Sequence, residues 1–276
     1  MAATPFRDRT VLVTGASSGI GREVVLAFAA AGANVVLVAR RAALLSKVAA
    51  EARRLGAATL VCAADVTQPE AVETCFRKAV RRFESVDIVV NNAGVMIPAP
   101  VESLRTADLQ RMLDVNLIGA LHVMQSAVRR MRKQGRGHIV NVGSLAGRRG
   151  FSPLGGYSAT KFALVGLTEA LRTELVGTRV HVSLVLPGVV DTPMATAAQN
   201  DPATADMWPG ALAMPPSWVV WSIFLAIRFR LAEIAVPPGG ALLEKLASLA
   251  PGATDTLLRR ATDAARRLHR ASDARR

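Results

Sequence analysis

Aromatic side chains are scarce in this chain. They make up 4% of its 276 residues, and Tyr157 is the single tyrosine. Cysteine is rarer still, with only Cys62 and Cys75. They lie in an apolar run and a helix-like stretch, without metal-ligand spacing. This argues against a disulfide scaffold and a metal centre, and reads as two buried free thiols in a reducing cytoplasm. The opening MAATPFRDRT has no apolar core, so it does not read as a secretory signal. The longest apolar run, residues 218–227, is too short to span a bilayer. A cytoplasmic location is the expectation. Acidic residues are outnumbered, 21 against 34 Lys and Arg, giving a net charge of +13. Such an excess suits a polyanionic partner or an anionic membrane. Most of the arginines are scattered along the sequence, so a bias towards Ala and Arg, with a bound phosphate taking some of the charge, is the preferred account. Nucleic acid is not expected as a partner.

What is present is apolar and regularly alternating. The hydrophobic share of 51% fills a sizeable core, in one large α/β domain or two small ones. Runs rich in Val, Ile and Leu at 10–13, 35–39, 60–63, 88–90, 138–142, 180–186 and 233–236 suit strands covered on both faces. Helical stretches lie between them at 23–31, 43–55, 70–82, 107–133, 158–175 and 218–228. The third carries a start signal: Thr67 and Glu70 as a capping box, with Pro69 in the first turn. The alternation predicts a single doubly wound Rossmann-type domain, a seven-stranded parallel sheet flanked by helices. Residues 1–237 form this domain, with a variable loop at 189–216. Residues 238–276 read as a short helical C-terminal extension.

TGASSGIG, residues 14–21, follows the first strand and opens a helix. Gly15 permits a tight turn, Gly19 lets a pyrophosphate approach the backbone, and Gly21 allows close helix–strand packing. No Gly-Lys-Ser/Thr follows, so this is not a Walker A loop. The second strand ends at Arg40 and Arg41. An acid there would accept a hydrogen bond from a ribose 2′-hydroxyl, whereas an arginine suits a 2′-phosphate. Position favours this role for Arg40. Arg41 stays open between that role and a solvated surface arginine.

TGASSGIG, NNAG at 91–94, Asn116, Ser144, YSATK at 157–161 and the Pro187–Gly188 pair occur in one order and spacing. In this the chain resembles the short-chain dehydrogenase/reductase family, over roughly residues 6–237. The resemblance implies an oxidoreductase moving hydride between a nicotinamide and a carbonyl or secondary alcohol, and Arg40 at the strand end makes NADP(H) the expected cofactor in preference to NAD(H). Tyr157 is the expected general acid/base. An unperturbed phenol has a pKa of about 10, too high for an efficient base near neutrality. Lys161 lies one turn away on the same helix face, and its charge favours the phenolate. By resemblance, Lys161 also holds the nicotinamide ribose. Ser144 would hydrogen-bond the substrate oxygen, or cap a turn. Asn116 would kink its helix and hold a water in a proton relay, or satisfy backbone groups.

The remaining cofactor contacts carry over by position. They are Gly15, Ser17, Ser18, Gly19, Ile20 and Gly21 in the turn, and Asp65 and Val66 after the third strand. Asn92, Ala93 and Gly94 follow the fourth, with Asn91 stabilising that strand. Pro187, Gly188, Val190 and Thr192 follow the sixth. Met207, Trp208, Leu212 and Met214 would form an apolar lid, with Val95, Met96 and Leu145 as a floor, which suits a hydrophobic substrate. Plain core packing explains these side chains equally well. Trp218 and Trp221 replace the early acids that many relatives carry, and the chain runs about forty residues past Pro237. Both features argue against a fatty-acid-elongation reductase. The extension would cover the cleft, mask one tetramer interface or rest on a membrane surface; its last residues read best as a solvated end. A homodimer or homotetramer is expected, through residues 107–133 and the helix carrying Tyr157. Two other readings are a non-catalytic dinucleotide sensor, which has no use for the proton path, and a nucleotide-sugar epimerase, which needs a larger C-terminal domain.

Overall fold

A computed structural model of the protein describes residues 6–201, 204, 213–239, 249 and 252–256. Seven strands form one parallel sheet: β1 Thr10–Thr14, β2 Asn34–Ala39, β3 Thr59–Ala63, β4 Ile88–Asn91, β5 Gly137–Val142, β6 Val180–Pro187 and β7 Glu233–Val236. Their order is β3-β2-β1-β4-β5-β6-β7. The helices are α1 Gly19–Ala30, α2 Ala42–Arg54, α3 Pro69–Phe83, α4 Thr106–Leu113, α5 Ala120–Gln134, α6 Gly155–Glu174, α7 Pro193–Gln199 and α8 Pro216–Phe229. This is the predicted Rossmann-type architecture. The strand order reverses between β1 and β4, which opens a crevice at the carboxyl ends of the strands.

Both faces of the sheet are covered, as the near-continuous apolar strands require. On one side α1, α2 and α8 pack over Val11, Val13, Val35 and Leu37. Phe6, Phe28 and Phe224 meet there with ring centroids 4.7–4.9 Å apart. On the other side α3, α5 and α6 cover Leu12, Val36, Val89 and Ile139. Each large side chain fully buried in these layers contributes about 1.5–3 kcal/mol. Cys62 on β3 and Cys75 on α3 are both free and buried. No helix among the described residues is long and apolar enough to cross a membrane.

Three local expectations change. The capping box at 67–70 does not form. Asp65 Oδ1 instead accepts from the Thr67 backbone N–H and hydroxyl, both at 3.0 Å, and Gln68 takes the cap position without a side-chain bond. The Thr67 hydroxyl and N–H thus both donate to a charged acceptor two residues back, a local turn that competes with the capping arrangement. The single helix expected over 107–133 is three pieces, α4, a π-helical turn Asp114–Gly119 and α5. Close packing accompanies the widened turn: a Cβ on Gly119 would lie 2.6 Å from Val66 Cγ2. Within the loop expected at 189–216, a short helix, α7, begins at Pro193, with the Thr192 hydroxyl accepting from Ala195 N–H at 3.3 Å. Met207, Trp208 and Leu212 lie outside the described residues, as does most of the extension.

Candidate active site

The crevice is built first by glycine. Gly15 and Gly19 adopt left-handed backbone, with φ of +66° and +53°, which disfavours any side chain. A Cβ on Gly21 would stand 2.3 Å from the Gly15 carbonyl oxygen. The turn is then clamped to β4. The Thr14 hydroxyl accepts from the backbone N–H of Asn92 (2.9 Å) and Ala93 (3.0 Å). Asn92 Nδ2 donates to the Thr14 carbonyl at 3.1 Å. Asn91 bridges the turn and the layer behind it: its Oδ1 accepts from the Thr14 hydroxyl at 3.4 Å, and its Nδ2 donates to the Ala120 carbonyl and to Asn141 Oδ1.

A cavity of about 300 Å³ opens over this turn. Gly15, Ser17, Ser18, Gly19, Ile20, Arg40, Arg41, Asp65, Val66, Asn92, Ala93, Gly94 and Thr192 line it together. Gly21 supports it from beneath. The two arginines diverge. Arg41 reaches across to the turn, donating to Ser17 Oγ at 2.9 Å and Ser18 Oγ at 2.7 Å. Arg40 turns towards Asp65, with a nitrogen–oxygen separation of 3.7 Å.

A second cavity, of about 720 Å³, shares Ile20, Asn92, Gly94, Thr192 and Met194 with the first, so the two form one continuous cleft. Its walls include Met96, Leu145, Phe151, Leu154, Met214 and Trp218, with Pro187, Gly188 and Val190 along one side. Val95, expected on its floor, lines the smaller cavity instead. Phe151 and Leu154 are wall residues that sequence reasoning did not single out. Ser144, Tyr157 and Lys161 meet in this second cavity.

Local packing explains that meeting. Ser144 ends the β5 loop and caps the 3₁₀ turn Leu145–Gly147, accepting from Ala146 N–H at 3.1 Å. That turn lies hard against α6: a Cβ on Gly147 would be 2.8 Å from the Lys161 carbonyl oxygen. Tyr157 and Lys161 are one turn apart on α6 and both buried. Lys161 Nζ donates to the Val142 carbonyl at 3.1 Å and stands 5.7 Å from the Tyr157 ring centroid. Burial pushes the phenol up to about 12, opposed by its hydrogen bond with Ser144. Burial alone pulls Lys161 down to about 8. The expectation that Lys161 lowers the phenol is therefore outweighed here, because desolvation of a buried phenolate is the larger effect.

Asn116 sits in the π-helical turn. Its Oδ1 accepts from Val95 N–H at 2.8 Å, and its Nδ2 donates to the Val95 carbonyl at 2.9 Å and to Thr160 Oγ1 at 3.0 Å. It thus ties the strand-4 loop to α6 beside Tyr157. Arg148, not singled out in the sequence, ion-pairs with Glu169 of α6 and Glu233 of β7 at 2.6 and 2.5 Å. An arginine in a Gly-Arg-Arg-Gly loop gives no sequence signal for such a clasp.

Known proteins resemble this chain in sequence and fold. The family model described as short chain dehydrogenase matches residues 9–203. An uncharacterized oxidoreductase of Staphylococcus epidermidis is 36% identical over 188 residues, covering 68% of this chain and 80% of that protein. Levodione reductase, a solved structure, superposes with a TM-score of 0.79 at 28% identity, covering 86% of this chain and 99% of that one. A short-chain dehydrogenase/reductase from Burkholderia phymatum, solved in complex with NAD, gives 0.80 at 27% identity, covering 88% and 94%.

Proposed function

This chain belongs to the short-chain dehydrogenase family of oxidoreductases, and we propose that it interconverts a carbonyl and a secondary alcohol on an apolar small molecule, with NADP(H) preferred over NAD(H). The observation that carries this reading is the convergence of Ser144, Tyr157 and Lys161 in the larger cavity, which runs on into the glycine-lined one. The glycine cradle and the arginine rim fit a dinucleotide: the turn has no room for added side chains, and Arg41 crosses it. A nicotinamide held there would supply or accept the hydride.

The chain's own residues handle the proton. The phenol of Tyr157 stays protonated at neutral pH, which is the form that donates to a carbonyl oxygen. The Ser144 hydroxyl holds the same oxygen and stabilises charge developing on it. Lys161 would hold the ribose of a bound cofactor, and Asn116 keeps the Val95 loop and α6 in register. In the alcohol-to-carbonyl direction Tyr157 would have to start as its phenolate to take the proton, a form that burial disfavours. The apolar walls exclude water and suit an uncharged hydrophobic substrate body. The Burkholderia phymatum relative was solved with NAD, so the NADP(H) preference rests on Arg40 and Arg41 alone. Residues 1–237 are proposed as the catalytic domain, with residues 238–276 as an appendage. A homodimer is proposed through α4, α5 and α6, and light scattering that gives a monomer at micromolar concentration would reject it.

Replacing Tyr157 with Phe removes the proton and keeps the ring. A panel of carbonyl compounds followed by NADPH absorbance should show turnover falling about 10²–10⁴-fold, with cofactor affinity retained. A variant keeping more than about a tenth of the rate, with chemistry rate-limiting, would exclude Tyr157 as acid/base and favour a non-catalytic binder.

A further inference from the structure

The opposite end of the sheet holds a third cavity, of about 590 Å³. It lies at the amino ends of β1, β4, β5 and β6 and beside the end of α8, whereas the catalytic cleft lies at the carboxyl ends. A strand of six residues separates the two by about 20 Å. The sequence reads its arginines as scattered, but the fold gathers five of them here: Arg9, Arg136, Arg179, Arg228 and Arg230. All five are exposed at the rim, above a floor that includes buried Asp87 and His138.

The charges do not cancel. Among the described residues, Asp87 is the one carboxylate lining the cavity. Its Oδ1 accepts from Arg9 at 3.4 Å and Arg136 at 3.2 Å. Its Oδ2 is taken by Thr10 N–H and the Ser85 hydroxyl, each at 3.0 Å. Arg179, Arg228 and Arg230 make no ion pair with an acidic side chain among the described residues. The floor adds no anion, since the His138 ring is bonded to Ser183 Oγ at 2.8 Å. Complementing the α8 dipole accounts for Arg228 in its last turn. It does not account for Arg9, Arg136 or Arg179, which come from three other connections.

We propose that this cavity is a binding site for a small multivalent phosphate, distinct from the catalytic cleft and independent of the hydride-transfer reading. Guanidinium groups pair with phosphate oxygens through two parallel hydrogen bonds, and several such forks around one concave site favour a ligand with more than one phosphate. The volume is that of a small-molecule site. A concave rim of five side chains suits a compact oligophosphate better than a flat lipid surface or a duplex. The shared chemistry is the phosphate chain, borne by a nucleotide or by inorganic oligophosphate.

The test is isothermal titration of sodium tripolyphosphate into the full chain at low salt, where exposed charges are least screened. Three proteins are compared: wild type, Arg40→Ala/Arg41→Ala to disable the cleft, and Arg179→Gln/Arg228→Gln. Arg179→Gln alone serves as a milder change if the double variant unfolds early. The expected result is one site in the wild type, retained in the cleft variant. Loss of charged hydrogen bonds weakens binding about tenfold or more in the Arg179→Gln/Arg228→Gln protein. Parallel titration of ATP and tripolyphosphate identifies the source: tighter ATP binding lost in the same variant adds the nucleoside, and equal binding leaves the phosphates alone. Binding that disappears only in the cleft variant, or no wild-type binding at millimolar tripolyphosphate, overturns the proposal. Pelleting with phosphatidylserine vesicles that depends on Arg179 and Arg228, without tripolyphosphate binding, overturns it in favour of a membrane surface.

Discussion

Two neighbouring arginines show how far residue identity reaches and where it stops. Gly15, Gly19 and Gly21 are legible from sequence because their role is fixed by backbone geometry at a strand–helix turn. The direction of a side chain leaving a loop is not. Position favours Arg40 for the adenosine phosphate, whereas the structure sends Arg40 to Asp65 and Arg41 to Ser17 and Ser18. The charge of Arg40 is already answered by a carboxylate, in an exposed pair worth little by itself. Among the described residues Arg41 bonds only neutral hydroxyls, so its charge is the one left for a phosphate. Arg41→Ala should therefore weaken NADP(H) binding about ten- to a hundredfold, leave NAD(H) binding nearly unchanged, and cost more than Arg40→Ala. Calorimetry of both cofactors against the two variants decides this. An equal loss for NADP(H) and NAD(H) would make Arg41 a support for the turn rather than a phosphate partner.

At the scale of elements, the strands were legible because both faces of the sheet are covered and most strand residues are apolar, rich in Val, Ile and Leu. The helices were legible from their period, with ends shifted by a few residues; α1, for instance, begins at Gly19 rather than at residue 23. The break in the long helix was not, because a widened turn leaves the apolar pattern on either side intact. Its one sequence mark is Asn116, a polar residue in an apolar stretch. The side chain answers both backbone groups of Val95 and the Thr160 hydroxyl. A π-helical turn so placed is a common companion of functional sites. Asn116→Ala leaves the Val95 N–H and carbonyl unpaired in a partly buried position. It should destabilise the fold by about 1–3 kcal/mol and lower kcat more than it raises KM, since α6 carries Tyr157. Denaturant unfolding and steady-state kinetics measure the two effects. Unchanged stability would mean that water replaces the side chain at no cost.

For the whole molecule, the sheet divides the charge between two ends, a cleft with an arginine rim at one and an arginine-ringed cavity at the other. The second was invisible in sequence because its members lie in four separate connections that only the strand order brings together. His138 sits at that end, buried at the start of β5. Desolvation first, then the charges of His181 and Arg230, hold its imidazole down to about 3, far below its ordinary 6.5. The unfolded chain therefore binds one more proton than the folded one between these two values. The stability contributed by neutral His138 is fully present above pH 6.5 and is lost progressively as pH falls towards 3. His138→Asn cannot take up this proton. Urea unfolding in phosphate-free buffer at pH 7, 6, 5 and 4 should show a steeper loss in the wild type, by at most about 1.4 kcal/mol per pH unit. Parallel slopes in the two proteins would mean that the folded state protonates His138 as readily as the unfolded chain does.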